Sequence, residues 1–199
     1  MKTIGLIGGL SWYSTVIYYE KLKIPFIHIA QVTGEAIAKQ NLMKVGLLGT
    51  RFTMEHGFFS NRLSTLGIQT ITPEVEDRNF IHQSIFEELS RGIYTENTRQ
   101  YYLQTIERLK QIGAEGIIFG CSEISLLIKP EECLIPVFDT TLIHARAAVN
   151  FALKAWCSKK TNQRGFLDVE GKDALEPTLN LKCPLFNKLY ICRSFKKTP

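Results

Sequence analysis

A thiol, a hydroxyl and a carboxylate follow one another at Cys121-Ser122-Glu123, directly after the apolar run Gly116-Ile117-Ile118-Phe119-Gly120. Such a run reads as a buried strand, which sets the triplet at a strand's carboxyl end. A thiolate there can remove a proton from carbon, provided helix termini or neighbouring donors lower its pKa. An isolated buried cysteine also fits a small hydrophobe, and position alone leaves both readings open. Cys133, in a Pro-bounded loop, and the tail cysteines Cys157, Cys183 and Cys192 read as structural or incidental.

Two glycine turns, Gly8-Gly9-Leu10-Ser11 and Gly49-Thr50-Arg51-Phe52-Thr53, each lead from a strand end towards a helix start. Their backbone N–H groups favour an anion, a carboxylate rather than a nucleotide, because neither turn is a GxGxxG fingerprint or a Walker loop. A plain tight turn is the alternative for each. Glu87 or Glu88 can direct a carboxylate to the strand ends, and Arg51 can offset a substrate carboxylate; both also fit a solvated helix face. His28, His82 and His144 have no partner acid at a diagnostic spacing, and the absence of a GxSxG elbow argues against a serine-hydrolase triad. No CxxC pair or His spacing suggests a zinc site.

The elements that must position these groups alternate between strand and helix. Thr3 to Ile7 is predicted as a strand and Ser11 to about Leu22 as a helix, followed by a strand at Ile24 to Ile29 and a helix at Thr33 to Asn41. A strand at Val45 to Leu48 precedes a helix that starts at Thr53 or Glu55, reaches Leu66 and stops at Gly67. Ile68 to Ile71 is a short strand, Asp77 to Ser90 and Glu96 to Ile112 are helices, and Gly113 closes the second. Gly116 to Gly120 and Pro136 to Asp139 supply the last strands, and Leu142 to Leu153 the closing helix. This order specifies an α/β doubly wound fold with active groups at the strands' carboxyl ends.

An internal repeat is written into that order. Lys2-Thr3-Ile4-Gly5-Leu6-Ile7-Gly8-Gly9 returns as Lys44-Val45-Gly46-Leu47-Leu48-Gly49-Thr50, and Ile24-Pro25-Phe26-Ile27-His28 returns as Ile135-Pro136-Val137-Phe138-Asp139. The signatures stand 23 positions apart in the first copy (Lys2 to Pro25) and 92 in the second (Lys44 to Pro136), so about 70 residues have no counterpart. The cysteine-ended strand falls within that unmatched stretch.

The formal charge of +5 belongs to the tail: residues 1–153 carry 14 Lys/Arg against 15 Asp/Glu, a net −1, and residues 154–199 carry 10 against 4, a net +6. The body therefore lacks the clustered cations of a nucleic-acid face. No run approaches the ~18 apolar residues of a membrane span, and the glycine-rich opening reads as a buried strand rather than a secretory signal. The expected setting is the reducing cytoplasm, with free thiols.

Together, residues 1–12, Gly46-Leu47-Leu48-Gly49-Thr50-Arg51-Phe52-Thr53-Met54-Glu55, Phe86-Glu87-Glu88-Leu89, Gly120-Cys121-Ser122-Glu123-Ile124 and Pro136-Val137-Phe138-Asp139-Thr140 resemble the aspartate/glutamate racemase family. The resemblance covers residues 1–22 and 24–153. It implies a pseudosymmetric two-lobe parallel-sheet racemase fold and racemisation without pyridoxal phosphate or metal, in which one cysteine takes the α-proton and a second returns one from the opposite face. It assigns Cys121 as the catalytic thiol and Leu10, Ser11, Thr50, Glu88 and Ser122 as substrate contacts. The family's first-lobe Cys-Thr-Asn segment has no counterpart, since Lys21-Leu22-Lys23 passes straight to Ile24-Pro25; the first lobe is expected to be truncated. The implied organisation is residues 1–43 as first-lobe segments, 44–134 as the second lobe, 135–153 as the last strand and closing helix, and 154–199 as a loosely ordered basic tail.

Two functions follow. One is an amino-acid racemase for aspartate or glutamate that uses no cofactor; the other is a shortened, non-catalytic member that binds an amino acid or pairs with a partner subunit. The expected partner is a small amino acid rather than nucleic acid or membrane, and homodimer assembly stays open.

Overall fold

The computed structural model describes residues 27–160, with side chains through residue 153. The expected elements before Ile27, the contacts Leu10 and Ser11, the chain after Lys160 and the Cys157, Cys183 and Cys192 side chains lie outside the described residues.

Four parallel strands form the sheet: β1 (Lys44–Leu48), β2 (Gln69–Ile71), β3 (Gly116–Phe119) and β4 (Val137–Asp139), in the order β2-β1-β3-β4. Around it stand α1 (Ile29–Ala38), α2 (Arg51–Glu55), α3 (Phe58–Ser64), α4 (Val75–Glu87), α5 (Glu96–Gln111), α6 (Ile124–Leu127) and α7 (Thr140–Lys160). This is the α/β architecture the alternation specified.

Side chains on a strand alternate between faces, and the core divides accordingly. Val45 and Leu47 of β1, Ile118 of β3 and Phe138 of β4 pack with Ala30 and Ile37 of α1 and Phe59 and Leu63 of α3. Leu48, Ile117 and Phe119 face the other way, onto Ile81 and Ile85 of α4, Tyr102, Ile106 and Leu109 of α5, and Ile124 of α6. Each fully buried Leu or Ile in these layers contributes about 1.5–3 kcal/mol. The boundary expected at residue 43 thus separates α1 and β1, two elements that share one core.

Three differences from expectation change the reading; in addition α1 ends at Ala38 rather than Asn41, and α4 spans Val75–Glu87 rather than Asp77 to Ser90. Ile29 opens helix α1 instead of ending a strand: His28 is extended at φ −79° and ψ 119°, and Ala30, Thr33, Gly34 and Ile37 then bury at helical spacing. The single helix expected from Thr53 to Leu66 is two, because His56 turns extended (ψ 142°) and breaks the ladder. The closing helix runs past Leu153 to Lys160, so the first residues assigned to the tail are helical. The stops at Gly67 and Gly113 hold, at φ +76° and +96°, which glycine adopts without a Cβ clash.

Candidate active site

From β1 the chain moves outward to β2 and then returns across β1 to β3, so the winding direction reverses between β1 and β3. Loops leaving adjacent strands in opposite directions open a crevice at the carboxyl ends, where parallel α/β sheets bind ligands. β1 ends into Gly49-Thr50, and β3 ends into Gly120-Cys121. The register Leu48 to Phe119 is prolonged by a 2.7 Å hydrogen bond from the Gly120 N–H to the Leu48 carbonyl. A Cβ at Gly120 would lie 2.9 Å from Thr53 Cγ2 and 3.0 Å from that carbonyl oxygen, so glycine lets the two strand tips and α2 close together.

Thr50 caps α2, with Oγ1 accepting from the Thr53 N–H at 3.3 Å and lying 3.0 Å from Thr53 Oγ1. The Arg51 N–H donates to His82 Nδ1 at 3.3 Å. Two first-turn donors of the expected anion site therefore have protein acceptors. The Arg51 guanidinium remains exposed and donates through Nη2 to Asn79 Oδ1 at 2.6 Å.

Cys121 is half-buried against the α4/α5 side of the core, and its Sγ–H donates to Glu123 Oε2 at 2.8 Å. Ser122, exposed, donates Oγ–H to the same oxygen at 2.9 Å. Burial, then the hydrogen bond to Glu123 and its charge, push the Cys121 thiol up to about 12, against backbone N–H groups that favour the thiolate. Burial also opposes ionisation of Glu123, but the Cys121 and Ser122 donors outweigh it and hold the carboxyl below its ordinary range. At neutral pH the pair is thus a protonated thiol on a carboxylate. The low-pKa thiolate that proton abstraction requires is not the resting form.

Glu88, half-buried just beyond α4, accepts from Thr98 Oγ1 at 2.5 Å, and Thr98 in turn accepts from Thr95 at 2.9 Å. Glu87 is exposed. Tyr102, fully buried, shares a 2.9 Å hydrogen bond with Ser84. Burial raises its pKa, against the Ser84 hydrogen bond, which lowers it. Thr50, Cys121 and Ser122 thus stand just beyond the carboxyl ends of β1 and β3, and Glu88 stands at the end of α4 with Thr98 as its partner. Cys133 packs elsewhere on the same core, and burial pushes its thiol up to about 11. Glu123 was visible in the sequence only as a neighbour; a carboxylate two residues past a thiol has no fixed direction until the turn is known. Asn79, Ser84 and Tyr102 carried no local signal. Among the described residues no group of His, Cys, Asp and Glu could hold a metal ion, and no helix is long and apolar enough to cross a membrane.

Residues 18–148 match the Asp/Glu/hydantoin racemase family. The chain belongs to that family. An uncharacterized Pectobacterium carotovorum subsp. carotovorum protein from the pnlA 3′ region is 31% identical over 112 residues, 56% of this chain and 73% of that one. The crystal structure of a Yersinia pestis Asp/Glu racemase candidate superposes with a TM-score of 0.68 at 44% identity, over 71% of this chain and 62% of the other. For an aspartate racemase homologue from Pyrococcus horikoshii OT3 the values are 0.63 and 29%, over 70% of this chain and 63% of the other. This racemase-family chain therefore spans less than two thirds of the length of either solved relative.

Proposed function

We propose that the chain acts as an amino-acid racemase of the aspartate/glutamate type, with Cys121 as the proton-transferring group and no cofactor. The observation that carries this reading is the Cys121–Glu123 hydrogen bond at the carboxyl end of β3, beside the β1/β3 reversal. The small thiolate fraction of Cys121 takes the α-hydrogen and becomes a thiol again, leaving a carbanion conjugated with the substrate carboxylate, while Glu123 fixes the direction of the thiol. Once the thiol has exchanged its proton with solvent, reprotonation from Cys121 completes the exchange, and reprotonation by water on the opposite face inverts the centre. Thr50 and Ser122, with Leu10 and Ser11 by family resemblance, would contact the substrate, and Glu88 would face its ammonium group.

The alternative, a non-catalytic member that binds an amino acid, is favoured by one observation: the thiol raised to about 12 is a reluctant base. Deuterium incorporation at the α-carbon of L- and D-aspartate and glutamate separates the two. The expected result is slow exchange confined to the enantiomer whose hydrogen faces Cys121, abolished in Cys121→Ala and kept in Cys133→Ala. Wild-type exchange in Cys121→Ala would refute the assignment, and equal loss in both variants would indicate packing instead.

A further inference from the structure

Thr140 sends its hydroxyl out of its own helix. A threonine inside a helix usually bonds a carbonyl one turn back, and Thr33 and Thr105 do so, on the Ile29 carbonyl at 2.8 Å and the Tyr101 carbonyl at 2.9 Å. Thr140 opens α7 and has no helical turn behind it. Its Oγ1–H instead donates to the Phe119 carbonyl at 2.8 Å, 21 positions back in the chain, and both residues are buried. Asp139 Oδ1 accepts from the Thr141 and Leu142 N–H groups at 2.9 and 3.1 Å, which fixes the first turn of α7 and Thr140 with it.

The Phe119 carbonyl and the Gly120 N–H are the two polar ends of one planar peptide group. Thr140 holds the carbonyl from the β4 side, and the Leu48 carbonyl of β1 holds the N–H at 2.7 Å. Gly120 lacks the Cβ that would restrict its dihedrals, so the plane of this peptide is the last fixed reference before Cys121. On the far side, the Cys121 carbonyl accepts from the Ile124 N–H of α6 at 3.3 Å, and Sγ–H donates to Glu123 Oε2 at 2.8 Å. The thiol is therefore carried on a short turn anchored at one end by α6 and at the other by the Phe119–Gly120 peptide.

We propose that Thr140 is a positioning residue for Cys121: through the Phe119–Gly120 peptide it sets the direction in which the thiol leaves β3. Without its donor the peptide tilts about the remaining Leu48 bond, Gly120 follows, and Sγ loses its alignment with Glu123. Thr140 acts only through the backbone, and its weight in the reaction rests on the proton-transfer reading of Cys121 given above.

The test compares Thr140→Val, which keeps the shape and loses the donor, with Thr140→Ser, which keeps the donor, in the 199-residue chain. Iodoacetamide labelling is followed from pH 8 to 11 by peptide mass spectrometry, with Cys133 as the internal reference and α-deuterium exchange on aspartate and glutamate read in parallel. Thr140→Val is expected to label Cys121 about three- to tenfold faster at pH 8 and to move its profile to lower pH, because a thiol turned from Glu123 escapes that charge. Cys133 should keep its rate, and Thr140→Ser should match wild type. In a Glu123→Gln background Thr140→Val should add less than about twofold, since the charge to be escaped is gone. A misaimed base loses about 100-fold, more than the larger thiolate fraction returns, so kcat for exchange should fall about tenfold with KM within about twofold. Thr140→Ala, which places no methyl against the carbonyl, takes the place of Thr140→Val if the latter does not fold. Shifted Cys121 labelling in a chain without exchange supports this inference and sinks the catalytic reading. An unchanged Cys121 profile, an equal change at Cys133, exchange that rises in step with labelling, or a Thr140→Ser variant no closer to wild type than Thr140→Val overturns the inference.

Discussion

Replacing Glu123 with glutamine tests the origin of the raised Cys121 pKa. The substitution keeps the shape and a hydrogen-bond acceptor 2.8 Å from Sγ but removes the negative charge that opposes a thiolate. With a pKa of about 12, only about one thiol in 10,000 is ionised at pH 8. Burial is the largest cause and persists in the variant, so the pKa should fall without reaching 9. Loss of an adjacent like charge changes an ionised fraction by roughly tenfold or more. Iodoacetamide labelling at pH 8, resolved by peptide mass spectrometry, should therefore speed up roughly tenfold at Cys121. Cys133, pushed up to about 11 by burial and the Glu132 and Glu131 charges, has its own surroundings and should not change. Equal or slower Cys121 labelling in Glu123→Gln would show that the carboxylate does not hold the thiol protonated.

Stability should also depend on pH. The folded chain keeps protons on Cys121 between about 9, its ordinary value, and about 12, where the unfolded chain has released them; stability therefore falls as pH rises through that window, by up to about 1.4 kcal/mol per pH unit per group. Denaturant titrations from pH 8 to 11 should show the decline, and Cys121→Ser should flatten it; an equal slope in the variant contradicts the assignment. Gly120→Ala should cost about 1–3 kcal/mol, read as a lower denaturation midpoint, because the new Cβ meets a backbone oxygen at 3.0 Å. An unchanged midpoint would mean the strand tips can part.

The parts of this fold legible in the sequence were those decided locally. Val45 to Leu48 and Gly116 to Phe119 are apolar on consecutive residues, as strands covered on both faces must be, and they fixed the place of Cys121. The start of α1 is hidden although its period is present: Ala30, Thr33, Gly34 and Ile37 stand at helical spacing, yet the apolar Ile24-to-Ile29 run masks the onset. The break at His56 follows from backbone geometry that no residue type there demands. At the site, the thiol and the Thr50 cap were readable because each is set by its own strand-to-helix turn. The Tyr102–Ser84 bond and the Asn79–Arg51 bond join helices 18 and 28 positions apart in sequence, and only the folded packing brings them together.

The strand order has a consequence for the chain while it is being made. β2, one partner of β1, follows it closely in the chain, but its other partner is β3, whose last residue, Phe119, is translated long after Leu48. At common elongation rates that interval is roughly 4–14 s. For that time Val45, Leu47 and Leu48 form a half-paired strand with an open hydrogen-bonding edge, the kind of edge that recruits a second nascent chain or a chaperone. Slowed synthesis between the codons for Leu48 and Phe119 should therefore lower soluble yield, whereas slowing after Asp139, when all four strands are complete, should not.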